Sequence, residues 1–100
     1  MTKEQIIEKA KHIMKGIYGE FYFEGCVNNA IFEEKEKLTY GKLNGQTKPC
    51  WVVSVYALFD HFLFLTILDE TGEPLYFQNS NTFKFEIEKD SNGNYYKIEN

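Results

Sequence analysis

Two histidines and two cysteines are the side chains best suited to metal binding or nucleophilic catalysis. They stand far apart in the chain, and no CxxC, HxH or HExxH spacing occurs. A cysteine nucleophile needs a nearby histidine or another influence that favours the thiolate, and none lies beside either cysteine in sequence. We expect no metal site and no catalytic residue, with buried free thiols favoured over a single disulfide. The residues concerned are His12, His61, Cys26 and Cys50, of which Cys26, in an expected turn, is the better nucleophile.

Acidic side chains concentrate in two segments, residues 33–36 and residues 69–73. The second segment surrounds Gly72 but lacks the alternating DxDxDG order of a calcium loop, so we expect a solvated charged turn. The first segment is the denser one, and it suggests an acidic patch that faces a basic protein partner. The carboxylates of this predicted patch are Glu33, Glu34 and Glu36.

The composition excludes several classes of protein. The chain has 100 residues, 11 basic against 15 acidic side chains and a net charge of -4, and every basic residue is a lysine. Binding to a phosphate backbone requires a basic surface, so we expect no nucleic-acid partner. No apolar run is long enough to span a membrane, and the N-terminus has no signal-peptide core. We expect one domain over residues 1–100, in the cytoplasm and without a cofactor.

Aromatic residues make up 17% of the chain, which is more than the expected core positions hold. Several tyrosines fall on mixed or outward phases of the predicted strands. Tyrosines of this kind either keep a hydroxyl at a half-buried sheet face or form a protein interface, where Tyr is enriched. We assign Tyr22 and Tyr40 as aromatic contacts with a partner. The expected core aromatics are Phe21, Phe23, Trp51, Phe59, Phe62, Phe64, Phe83 and Phe85.

The N-terminal segment predicts an amphipathic helix over about residues 3–18. Apolar residues recur at three- and four-residue steps on one side, and charged residues occupy the other side. Thr2 is the expected N-cap, with Gln5 three residues later as in a capping box. Gly16 and Gly19 are the candidate stop signals.

The rest of the chain predicts antiparallel strands joined by turns. Two apolar runs separated by Asp60 and His61 indicate a tight hairpin in the middle of a sheet. Alternation places Phe83, Phe85 and Ile87 inward on a later strand, and Tyr96 and Ile98 inward on the last one. The helix must bury its apolar side on one face of this sheet, which predicts an α+β fold: one helix on an antiparallel meander of five to seven strands. The expected strands are 20–24, a weak one in 31–43, 50–59, 62–68, 75–78, 82–88 and 95–99, with turns at 26–30, 44–49, 69–74 and 90–94.

The centre of the chain contains the sequences WVV (Trp51–Val53) and LDETGEPLYF (Leu68–Phe77), in which an apolar strand ends in a TGE turn and then resumes. This pattern resembles PepSY-like domains and some small immunity proteins of bacterial toxin systems. It covers about residues 50–78. The chain departs from that pattern in its C-terminal hairpin and in residues 28–48. The resemblance implies inhibition or protein binding rather than catalysis.

Together these features predict a small acidic protein-binding module, an inhibitor or immunity protein that blocks a bacterial protein partner sterically. The expected partner-binding residues are Glu33, Glu34, Glu36, Tyr22 and Tyr40. One alternative is a cystatin-like or NTF2-like domain that binds a ligand in an aromatic pocket. The other is a regulatory subunit that self-associates through an exposed strand edge.

Overall fold

A computed structural model describes residues 1–57, 62–79 and 83–98. One helix packs on a six-stranded antiparallel sheet, which confirms the predicted α+β fold. None of the described helices is long and apolar enough to cross a membrane. In chain order the elements are α1 (Lys3–Tyr18), a 3₁₀ helix (Gly19–Phe21), β1 (Val27–Lys37), β2 (Thr47–Tyr56), β3 (Phe62–Leu68), β4 (Pro74–Gln78), β5 (Lys84–Lys89) and β6 (Tyr95–Lys97).

Helix α1 has the predicted bounds because both of its ends carry the expected signals. The Thr2 hydroxyl accepts a hydrogen bond from the Gln5 backbone, and the Gln5 side chain accepts one from the Thr2 backbone, which completes the capping box. Gly19 ends the helix with φ of 57°, a conformation that glycine adopts at little cost. Gly16 lies within the helix and does not end it.

The sheet is a simple meander in which each strand pairs antiparallel with the next along the chain. This arrangement leaves two edges, the long strand β1 and the short strand β6. Two irregularities interrupt the pairing of β1 with β2, one between Val27 and Asn29 and one between Glu33 and Glu36. Between these irregularities, residues 29–33 form a regular ladder with β2.

Each face of the sheet has its own hydrophobic cluster. On the first face, which we call the helix side, the buried residues of α1 pack on alternate residues of the strands. On the opposite face, which we call the outer face, the β1–β2 loop (residues 38–46) covers a smaller cluster. The helix-side core includes Ile6, Ala10, Ile13, Met14, Cys26, Ala30, Trp51, Val53, Val55, Leu63, Leu65, Ile67, Phe77, Ile87 and Tyr95. The outer-face cluster is Leu38, Cys50, Leu68 and Tyr76.

The segment between α1 and β2 differs from the sequence prediction. The expected strand at 20–24 is wrong, because the chain continues from α1 into the 3₁₀ helix and then a turn. The expected turn at 26–30 is also wrong, since β1 begins at Val27. The acidic segment 33–36 therefore lies within strand β1, at the irregularity between Glu33 and Glu36. Asn44–Gly45 does form the predicted turn, with Gly45 at φ of 91°.

Several aromatic side chains assigned to the core are exposed. Phe21, Phe62, Phe64 and Phe83 are exposed, whereas Trp51 is buried and Phe23 and Phe85 are partly buried. On the last strand the assignment of Tyr96 as an inner residue is wrong: Tyr95 is buried beneath the helix, and Tyr96 is exposed. Phe59, the predicted hairpin at Asp60 and His61, and the start of the predicted strand at Thr82 lie outside the described residues.

Replacing Gly16 with alanine tests the contact between α1 and β6. A Cβ at Gly16 would overlap the Tyr95 carbonyl oxygen and lie 2.9 Å from the Tyr95 nitrogen. Gly→Ala in a free helix is stabilising by about 1 kcal/mol. Here we expect Gly16→Ala to lower the free energy of unfolding by about 1–3 kcal/mol in urea denaturation, because backbone must move. Lys3→Ala, at an exposed helical position, is the control, and a stabilised Gly16→Ala protein would contradict this contact.

Candidate functional site

An uncovered apolar patch lies on the outer face of strands β1 to β3. Ile31 pairs with Val52, and Tyr56 pairs with Phe62. Phe64 lies two residues after Phe62 on β3, so both side chains are on the same face of the sheet. These five residues, Ile31, Val52, Tyr56, Phe62 and Phe64, have the opposite phase to the strand residues under the helix, and we call them the outer patch.

The outer patch is exposed although it is apolar. The exposed fraction is 56% for Ile31, 41% for Tyr56 and Phe62, and 46% for Phe64. The rings of Tyr56 and Phe62 contact each other with centroids 4.9 Å apart, and Ser54 and Thr66 lie on the same face among the apolar residues. Several large apolar side chains exposed on one face mark an interaction site more often than single exposed residues do.

The β1–β2 loop covers the remainder of the outer face. Leu38 is fully buried in this cluster, and the ring of Tyr40 meets Tyr76 edge-on with centroids 6.2 Å apart. A pocket of about 90 Å³ lies between this loop and strands β4 and β5. Ligand pockets typically measure about 300–1,000 Å³, so this pocket suits a small polar species and not a drug-sized ligand. Its lining residues are Tyr40, Lys42, Leu43, Pro74, Leu75, Glu86 and Ile87.

The predicted acidic residues lie on edge strand β1. Glu33 pairs with Cys50 and Glu36 with Lys48, which places both on the outer face. Glu34 lies at the irregularity between them, so the pairing with β2 does not assign it to a face. Glu33 and Glu34 are exposed, and within the described part of the chain neither forms an ion pair.

The structure does not bring the two predicted contact tyrosines together. Tyr22 packs against the helix-side core, with the Lys15 ammonium 5.5 Å from its ring centroid. Tyr40 packs against the outer-face cluster. Both side chains are half-buried, so each contributes to packing as well as to the surface. Of the two, only Tyr40 shares a face with the outer patch.

A cluster of titratable groups joins the helix to the last hairpin. The Tyr95 hydroxyl donates to Glu73 Oε2 over 2.8 Å, and the ammonium groups of Lys9 and Lys89 lie 3.3 and 3.4 Å from Glu73 Oε1. Both ammonium groups also lie over the Tyr95 ring, and His12 meets that ring edge-on. Partial burial alone would raise the pKa of Glu73, but the Tyr95 hydrogen bond and the two lysines lower it.

The turn after β3 is also bound into the fold and is not simply a solvated loop. Trp51 Nε1 donates to Asp69 Oδ1 over 2.7 Å, and the N-terminal ammonium lies 3.3 Å from the same oxygen. The Trp51 hydrogen bond, aided by the ammonium, lowers the pKa of Asp69. Asp69 and Glu73 thus hold tertiary structure, whereas Glu70 is exposed.

The two cysteines are free and buried, as expected. Burial raises the pKa of Cys26 and raises that of Cys50 to about 11, so both thiols are protonated at neutral pH. His12 contacts the Gly93 carbonyl oxygen at 3.0 Å through Nε2. In residues 1–57, 62–79 and 83–98, no group of three or more His, Cys, Asp or Glu side chains is arranged to hold a metal ion.

The outer patch is the surface that the sequence prediction missed, and a signal for it was present. Both phases of strands β2 and β3 are apolar, but the described chain has a single α-helix to cover one face. The prediction placed Phe62 and Phe64 in the core because they belong to an apolar run. The sequence predicts two apolar sheet faces but a single helix to cover them, which indicates that part of one face is exposed.

Comparisons of the chain with family models, with curated proteins and with solved structures find no significant match. The residues and their geometry therefore carry the functional argument.

The Glu73 cluster predicts a pH-dependent contribution to stability. The pKa of Glu73 is lower in the folded chain than in the unfolded chain, so the ionised carboxylate stabilises the fold above its unfolded pKa near 4.5, and this stabilisation is lost as the pH falls through the folded pKa. The side chain is 40% exposed, so we expect Glu73→Gln to lower the free energy of unfolding at pH 7 by about 1 kcal/mol or less.

Urea denaturation at several pH values between neutral and strongly acid checks this prediction. The difference between Glu73→Gln and the parent should shrink below the unfolded pKa. Glu70→Gln, an exposed neighbour in the same turn, is the matched control and should show little difference at any pH. An equal loss of stability at acid and neutral pH would contradict the role of the charge.

Proposed function

We propose that this chain is a protein-binding module that acts as an inhibitor or immunity protein, covering a functional surface of a bacterial protein in the cytoplasm. The observation that carries the proposal is the outer patch, an exposed aromatic and aliphatic surface on a hydrogen-bonded sheet. A sheet face preformed in this way loses little conformational entropy on binding, which favours a steric blocker.

The size of the outer patch supports a protein partner. If a full aromatic side chain presents about 200 Å², the exposed fractions of Tyr56, Phe62 and Phe64, together with Ile31, amount to roughly 350 Å² of apolar surface. Interfaces of standard size bury about 800 Å² on each partner. The outer patch fits the apolar centre of such an interface, with polar residues around it as the rim.

The charge of the chain supports a basic partner. The net charge is -4, and Glu33 and Glu36 lie on the same face as the outer patch. Opposite charge on a partner would raise the association rate and orient the encounter, more than it would raise the final affinity. The resemblance of residues 50–78 to PepSY-like domains and small immunity proteins agrees with this class of function.

A ligand-binding function has less support. The pocket beside the β1–β2 loop has a volume of about 90 Å³. Aromatic side chains of the outer patch lie on an open sheet face, and the buried aromatic residues of the helix side, Trp51, Phe77 and Tyr95, pack in the core. The aromatic residues therefore favour a contact surface over a pocket.

Polar replacements in the outer patch test the proposed contact surface. We expect Phe62→Ser together with Phe64→Ser to weaken partner affinity by at least about 10-fold, because they remove buried aromatic area from the interface centre. Partners are recovered from the native host by affinity purification with the parent chain, and the affinity of the purified partner is then measured by calorimetry.

The matched control is Phe21→Ser, an exposed phenylalanine outside the sheet. It should leave the affinity unchanged, and all variants should unfold at similar urea concentrations. If the parent and the Phe62→Ser, Phe64→Ser protein bind the partner with equal affinity, this face is not the contact surface.

Charge reversal on β1 tests the electrostatic part of the proposal. We expect the triple replacement of Glu33, Glu34 and Glu36 by lysine to slow association with a basic partner and to reverse the effect of added salt. Stopped-flow or surface-binding kinetics at several salt concentrations measure both effects. If the association rate and its salt dependence stay the same, these carboxylates play no part in the encounter.

A further inference from the structure

The free edge of β1 is an open site for backbone hydrogen bonds. β1 has 11 residues and pairs with β2 on one side, whereas the opposite edge strand β6 has three. On an edge strand, alternate N–H and C=O groups point away from the sheet and remain available to an added strand. The two irregularities in β1 limit the regular part of this edge to residues 29–33.

Two large apolar side chains stand next to each other at the middle of this regular edge. Ile31 lies on the outer face and Phe32 on the helix side, since Phe32 pairs with Trp51. Their exposed fractions are 56% and 45%. The Phe32 ring contacts the ring of Trp51 on the neighbouring strand β2, with ring centroids 5.2 Å apart. A further strand along the edge would cover both residues at once, one on each face.

Unpaired negative charge follows directly after these apolar residues. Glu33 and Glu34 are exposed and form no ion pair within the described part of the chain. Charged residues are a usual protection of a sheet edge, and they select what pairs there: residues of opposite sign directly across a ladder are favourable, and like charges are not.

We propose that β1 binds an extended segment of the partner protein as a seventh, antiparallel strand along the regular residues 29–33, with the first residue of the segment reaching Glu34. From its N-terminus to its C-terminus, this antiparallel segment carries two adjacent basic residues followed by two adjacent large apolar residues. The basic residues face Glu34 and Glu33, and the apolar residues face Phe32 and Ile31. This inference rests on the proposed protein-binding function and gives the partner segment its chemistry, with the backbone supplying affinity and the side chains specificity.

Charge favours this occupant over a second copy of the chain. In a continuous two-fold sheet, β1 pairs with itself about one residue, and side chains directly opposite each other share a face. If the two-fold axis passes through Ile31, Glu33 faces Asn29 of the other copy. If the axis passes through Phe32, Glu33 faces Ile31 of the other copy. In both cases the charge of Glu33 stays unpaired. Both copies would also carry a charge of -4. A basic segment neutralises the same carboxylates.

Two synthetic peptides test the proposal on the full chain. The first contains two lysines followed by phenylalanine and valine, flanked by threonines, and the second has glutamates in place of the lysines. We expect the lysine peptide to bind at least about 10-fold more tightly, as measured by fluorescence anisotropy. With the variant Glu33→Lys, Glu34→Lys the preference should reverse. Loss of all binding up to about 1 mM, or an unchanged preference in the variant, would overturn the proposal.

Two N-methylated forms of the lysine peptide separate strand pairing from simple charge attraction. Methyl groups on one set of alternate nitrogens block the hydrogen bonds to β1, and methyl groups on the other set face solvent. We expect one form to lose at least about 10-fold in affinity and the other to bind nearly as the parent peptide does. Equal effects of both patterns would overturn strand addition.

Amide shifts in NMR spectra locate the peptide, and light scattering reports the oligomeric state. We expect shifts in residues 29–34 and a monomeric chain; a dimer dissociated by Ile31→Lys would instead assign the edge to a second copy. The proposed function is tested separately by Phe62→Ser and Phe64→Ser, which leave this edge intact. If those replacements abolish partner binding while the peptides fail, the binding function stands and strand addition does not.

Discussion

The structure depends on one constraint: a single helix can cover only one face of a sheet. Helix α1 has 16 residues and is about 24 Å long, similar to the roughly 24 Å between the outer strands of a six-stranded sheet. It buries the helix-side core, and the β1–β2 loop buries part of the outer face through Leu38 and Tyr40. The apolar residues of β1 to β3 that neither element reaches form the outer patch. The same shortage of covering elements leaves Ile31 and Phe32 exposed at the edge.

Polar contacts fix the helix in place on that sheet. Tyr95, Glu73 and Lys9 connect β6, the turn before β4 and α1 at a half-buried position, and Asp69 joins the Trp51 ring to the N-terminus. These groups have the residue types of an active site, but each one forms a hydrogen bond or an ion pair with a neighbour in the fold. The Tyr95 ring is buried in the core. Asp69 and Glu73 both lie in the turn between β3 and β4, and their contacts there hold the helix and the sheet together.

Most of the fold follows from the sequence, and the errors have two causes. The capping box, Gly19 and the Asn44–Gly45 turn are local signals, so their predictions are confirmed. Burial is decided by packing between distant elements, and periodicity alone assigned Phe62 and Phe64 to the core and chose Tyr96 over Tyr95. The density of Glu33, Glu34 and Glu36 in sequence predicts an acidic patch, but the outer patch required knowledge of which face the helix covers. The second cause is local: aromatic alternation predicts a strand at 20–24, where the chain forms a 3₁₀ helix and a turn, and Asn28–Asn29 predicts a turn where β1 has already begun at Val27.

The reactivity of the two cysteine thiols reports how the folded chain opens. Cys26 belongs to the cluster beneath the helix and Cys50 to the cluster beneath the β1–β2 loop, and both are fully shielded from solvent. An alkylating reagent can reach each sulfur only when its own cluster separates. Unequal labelling rates would therefore report that the loop lifts independently of the helix, and equal rates would report that both faces of the sheet come apart in one cooperative event.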